Sequence, residues 1–76
     1  MKPGKYKIRA LYNTEDLTYL EKKREYIVLI TVKKDGSIQT YVTGKIFNGN
    51  ILFADHDIWF RNEKEFNRVF SNIVYL

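Results

Sequence analysis

Asp55-His56-Asp57 is the one place where this sequence gathers two carboxylates and its only imidazole. Such a triplet could hold a divalent cation or move a proton. The spacing argues otherwise. On a strand, neighbours point to opposite faces, so Asp55 and Asp57 would share a face without His56. Two carboxylates alone make a poor metal site. The expected reading is a polar break in which an Asp bonds nearby backbone amides. Nucleophiles are equally scarce. Ser37 and Ser71 are the only serines, and there is no cysteine. Ser37 is expected in a turn and Ser71 on a helix, so no Ser/His/Asp or Cys/His arrangement can be built. The four glycines are isolated, so there is no phosphate-cradling loop. The sequence reads as a non-enzyme, with no catalytic residue, no metal and no cofactor.

Binding chemistry is better represented. Lys5, Lys7 and Arg9 alternate on one face of a strand, and Lys22, Lys23 and Arg24 form a second basic group. The formal charge is +4, and all of it lies in residues 1–38. Tyr12, Tyr19 and Tyr41 could offer stacking rings, and small β-barrels do bind single strands with basic residues and aromatics together. Trp59 and Phe60 follow the polar break and are the first candidate anchors for a protein partner, with Tyr12 and Tyr19 beside them.

These residues must be positioned by a small scaffold. The chain has 76 residues, which is one domain spanning 1–76. A domain of this size has little surface to bury and no disulfide to help it. Its twelve aromatics supply the missing core volume. The longest apolar run, Tyr26 to Ile30, is far too short to span a membrane, and no signal-peptide core is visible. A soluble, cytoplasmic domain is expected. A composition rich in Lys, Ile, Asn and Tyr suggests a bacterial or phage setting.

Period-two patterning over Lys5–Tyr12 predicts a strand with Tyr6, Ile8, Ala10 and Tyr12 on one side. Glu25–Lys33 is β-branched and aromatic, as expected of a central strand. Asp35-Gly36 then marks a hairpin turn, with Ile38–Phe47 as the partner strand and Gly44 as a bulge. Asn48-Gly49 marks a second hairpin into Ile51–Ala54. Ile58-Trp59-Phe60 is expected as a further short strand. Asn62 and Glu65 form a capping-box pattern, and Phe66, Val69, Phe70 and Ile73 follow helical spacing, which predicts a helix over about 62–73. Residues 14–24 fit an irregular loop or, alternatively, a helix.

Ala10-Leu11-Tyr12-Asn13 resembles the Ala-Leu-Tyr-Asp opening of SH3 domains. Thr14-Glu15-Asp16-Leu17-Thr18-Tyr19 is similar to that family's acidic loop. Lys22-Lys23-Arg24-Glu25 with Tyr26-Ile27-Val28-Leu29 resembles its lysine-rich turn and second strand, and Phe70-Ser71-Asn72-Ile73-Val74 its terminal Pro-Ser-Asn-Tyr-Val. The resemblance implies an SH3-like barrel. The family's ligand groove is another matter. Asp35-Gly36-Ser37-Ile38 stands where Asp-Gly-Trp-Trp is expected, and only Tyr12 carries over as a groove residue. The resemblance therefore implies the barrel without proline-rich peptide binding.

The expectation is a mainly β fold: a small antiparallel SH3-like barrel or curled meander of four or five strands with a C-terminal helix. Its alternative is a two-layer α+β fold with an extra helix at 14–24. The expected function is a non-catalytic binding or accessory module acting on another protein. Self-association is left open. The alternative is single-stranded nucleic-acid binding through the basic N-terminal half.

Overall fold

The computed structural model describes residues 1–13 and 20–76. Among these residues five strands and one helix follow in the order β1 (Gly4–Ala10), β2 (Glu25–Val32), β3 (Ile38–Phe47), β4 (Asn50–Phe60), α1 (Glu63–Val69) and β5 (Phe70–Tyr75). All strands lie in one antiparallel sheet of order β4-β3-β2-β1-β5. The chain meanders outward from β1 to β4, and β5 then returns to pair with β1. The fold is mainly β with a short C-terminal helix, as the patterning implies.

Alternation sets the inner face. Tyr6, Ile8 and Ala10 of β1 meet Tyr26, Val28 and Ile30 of β2, Ile38 and Val42 of β3, and Phe60 of β4 in one buried cluster. A flat sheet of five strands would hold its outer strands about 19 Å apart. Here Phe60 of β4 and Phe70 of β5, the two outer strands, bring their ring centroids to 5.7 Å. The sheet is therefore curled, and Phe66 of α1 fills the gap between its ends, 5.4 Å from Phe60 and 4.9 Å from Phe70.

Both hairpins form at the expected turns. Asn48 (φ 50°) and Gly49 (φ 79°) take the two left-handed positions that a tight two-residue turn requires, and Phe47 pairs with Asn50 across it. Gly36 (φ 88°) closes the other loop, where the Lys33 amide donates to the Ser37 carbonyl at 2.9 Å.

Three expectations need correction. The Asp55-His56-Asp57 triplet does not break a strand; β4 runs unbroken through it. On an outermost strand both faces are partly wet, so polar side chains do not end the pairing. The helix stops at Val69 instead of continuing to 73, and Phe70–Tyr75 is a strand. Asn62 does cap it, accepting from the Glu65 amide at 2.9 Å. The helical spacing of Phe70 and Ile73 arises from a bulge. Between Lys7 and Arg9 of β1 the register to β5 slips by one, and Asn72 there is left-handed (φ 51°). One extra residue stretches same-face spacing from two to three and mimics a helix. Finally, β1 ends at Ala10, so Tyr12 leaves the strand and stands exposed. Of the 14–24 alternative, residues 20–24 form no helix; Glu21 to Arg24 make a turn with Lys23 left-handed (φ 72°). The remainder of that stretch, Tyr19 included, lies outside the described residues.

Candidate functional site

The outer face of the sheet carries every candidate that faces solvent from a strand. Cross-strand pairing fixes its rows. Lys5, Leu29, Tyr41 and Asp57 lie side by side across β1 to β4, and Thr31, Gln39 and Trp59 make the next row. On the other side of the first row come Lys7, Ile27, Gly44 and Phe53. The face thus runs from basic at β1 to acidic and aromatic at β4.

β4 has neighbours on one side only, and among the described residues nothing pairs with its outward edge. Its odd-numbered residues face outward, where Ile51 is 66%, Phe53 87% and Trp59 56% exposed. Leu52, on the other side, is 46% exposed, and Phe47 across the hairpin 45%. For Phe47 and Ile51 the reason is the length of the ribbon. β2 pairs with β3 no further than Tyr26 opposite Lys45. Residues 46–51 therefore project past β2 as a two-stranded ribbon, with no third strand beneath them among the described residues.

The base of this ribbon is held firmly. The Arg24 guanidinium lies over the Phe47 ring at 4.6 Å, donates to the Ile46 carbonyl at 3.3 Å, and pairs with Glu21 at 2.8 Å. Lys45 reaches the same carboxylate at 3.4 Å. The Arg24 hydrogen bond, with its charge and that of Lys45, holds Glu21 below the usual carboxylate range. Gly44 matters for a steric reason: a Cβ there would sit 2.8 Å from the Ile51 methyl, so any larger residue would force the Ile51 side chain to shift.

The expected anchors divide. Trp59 and Tyr12 are exposed, but Phe60 is not available; alternation on β4 turns it into the aromatic cluster. The basic residues also divide. Lys7 and Arg9 approach Glu25 at 4.0 and 3.7 Å, and Arg24 is committed to Glu21 and Phe47. Lys22 and Lys23 occupy the exposed turn. Sequence reasoning missed Phe47, Ile51, Leu52 and Phe53, because apolar residues on a strand read as core. The available signal was three consecutive apolar residues directly after an Asn-Gly turn, on strands too long for β2 to cover.

The Asp-His-Asp triplet is split as its spacing demands. Asp55 and Asp57 face outward, and His56 pairs with Val42 on the inner side. Among the described residues no three of His, Asp and Glu gather into a metal-holding group. Asp55 instead accepts a 2.5 Å hydrogen bond from the Tyr41 hydroxyl. That bond, reinforced by partial desolvation and by the charges of Asp55 and Asp57, pushes the Tyr41 phenol above its ordinary value. Replacing Asp55 with Asn removes the charged acceptor, so the Tyr41 phenol should titrate lower, toward the ordinary phenol value of about 10. Ultraviolet titration, with the Tyr41→Phe protein as the reference for assignment, reads this directly; an unmoved curve would mean the bond does not persist in solution.

Among the described residues no helix is long and apolar enough to cross a membrane. Compared with known protein families, curated proteins and solved structures, the chain matches none.

Proposed function

We propose that this chain is a non-catalytic binding module that acts by protein–protein contact through β4 and the projecting end of the β3–β4 ribbon. One observation carries the reading. The large exposed apolar side chains Ile51, Leu52, Phe53 and Trp59 sit on an outermost strand whose backbone edge is also open among the described residues. An open strand edge offers backbone hydrogen bonds, and flanking apolar side chains supply affinity and register. The +4 charge supports a solubility role over a binding one, since Lys7, Arg9, Arg24 and Lys45 have carboxylate partners within the domain. An SH3-like barrel fits within this proposal. The curled meander and the return of β5 to β1 support it, and the exposed Tyr12 is the one residue carried over from that family's groove.

The test is site-specific photo-crosslinking in the native host, with a benzoylphenylalanine placed at Ile51, at Phe53, or at Lys64 on the exposed side of α1. A discrete protein adduct from the first two positions and none from the third is the expected result. Equal yields at all three, or none, would remove the ribbon as the contact surface. A parallel titration with single-stranded oligonucleotides at about 50 and 200 mM salt should show no micromolar binding. Salt-sensitive micromolar binding would replace the protein reading with a nucleic-acid one.

A further inference from the structure

We infer that the occupant of the β4 edge is a second copy of this chain, paired antiparallel over Asn50–Ala54 about a twofold axis at Leu52, so that two five-stranded sheets become one. This rests on β4 being the contact surface.

Soluble proteins blunt open strand edges with charges, irregular register or brevity. Both outer strands show these devices, but unevenly. β5 is six residues long and carries the left-handed Asn72 at its bulge. β4 is eleven residues long, and its protection is confined to the middle. Asp55 and Asp57 lie there, next to the register shift against Val42 and Gly44. Asn50–Phe53 has no charge, no proline and no bulge, and it holds Ile51, Leu52 and Phe53 in the open.

Charge then selects both the partner and the register. A twofold axis normal to the sheet sets each residue opposite one equally far beyond the axis, and like faces match only when the axis passes through a residue. An axis at Asp55 or Asp57 sets that acid against itself. At His56 it sets Asp55 against Asp57 twice. At Phe53, Ala54 or Ile58 it sets an acid against Ile51, Phe53 or Trp59. Among registers that pair at least five residues of β4 in each copy, only the one centred on Leu52 leaves both acids outside the pairing. It sets Ile51 opposite Phe53 twice, Asn50 opposite Ala54 twice, and Leu52 against itself. The segment is complementary to itself and to nothing charged. A membrane surface is a poorer occupant, because the polar Asn48-Gly49-Asn50 turn, and not the apolar band, forms the extreme end of the ribbon.

Sedimentation equilibrium from about 5 µM to 1 mM tests this, with a dimer as the expected species. Phe53→Lys, at a side chain 87% exposed, should weaken association about 30-fold or more by setting a cation opposite Ile51. Lys64→Ala, on the exposed side of α1 and outside the pairing, should change it less than about twofold. Because the chain has no cysteine, Leu52→Cys gives a direct reading of the axis: opposed strand residues lie within disulfide reach, so mild oxidation should join two copies. Ile58→Cys should not crosslink. A monomer at all concentrations, or a dimer indifferent to Phe53→Lys and without the disulfide at position 52, overturns the inference. The crosslinks from Phe53 separate the two levels of failure. A heterologous adduct with no dimer would overturn self-pairing and leave the ribbon as a protein contact; no adduct and no dimer would remove both.

Discussion

Phe66→Ala should cost about 3–5 kcal/mol of folding stability, the usual range for deleting a fully buried ring. Phe66 is completely buried, in edge-on contact with Phe60 and tilted against Phe70. A domain of 76 residues has roughly 4–11 kcal/mol in total at the common per-residue value. The substitution would therefore remove a large share of the stability and leave a substantial unfolded fraction at elevated temperature. The cause lies in the topology. No strand pair joins β4 to β5, which stand at opposite ends of the sheet order. Their approach depends on the three rings and on α1 between them. Removing the middle ring leaves a cavity at the seam, and relaxation there would let the sheet flatten. Urea unfolding of the purified variant followed by circular dichroism gives the number. A loss below about 1 kcal/mol would mean the curl is held by strand twist alone. Phe66→Leu, which keeps most of the volume, should fall between the two.

The parts of this fold legible in the sequence are those where one physical signal acts alone. β1 follows period two, β2 is a β-branched and aromatic run, and two Gly-containing turns place both hairpins. The hidden parts are those where two signals compete. Asn72 inserts a left-handed residue in β5, so Phe70 and Ile73 mimic helical spacing. Asp55 and Asp57 suggest a break, yet on an outermost strand they face water and cost the pairing nothing. The same ambiguity shaped the reading of the surface. Trp59 and Phe60 are adjacent and similar in type, and only the strand's phase decides that Trp59 is open and Phe60 buried. For Phe47 and Ile51, exposure depends on where β2 stops, which is a property of three strands together and not of any local pattern.

Alkaline pH should unfold this protein through Tyr26. The ring is 1% exposed, and its hydroxyl accepts the Glu21 amide at 2.7 Å. Burial is the main cause that raises its phenol above the ordinary value, with the Glu21 charge adding to it against the opposing hydrogen bond and Arg24. A raised value in the folded state means that folding favours the protonated phenol. That contribution is complete below the unfolded pKa of about 10, and it fades as pH rises through the higher folded value. Stability measured by urea unfolding should therefore fall steeply above about pH 10. Tyr26→Phe removes the ionisable group, and its curve should be distinctly flatter over that window. At neutral pH the same variant should be less stable by about 1–2 kcal/mol, since the Glu21 amide loses its acceptor. The two curves should converge as pH rises. Parallel curves would show that Tyr26 does not carry the alkaline loss. The neutral cost also reaches the candidate site. Tyr26 fixes the turn that presents Glu21, Glu21 holds Arg24, and Arg24 clamps Phe47 and the Ile46 carbonyl at the base of the ribbon. A single buried hydroxyl thus helps set the orientation of the strand end that is left open for a partner.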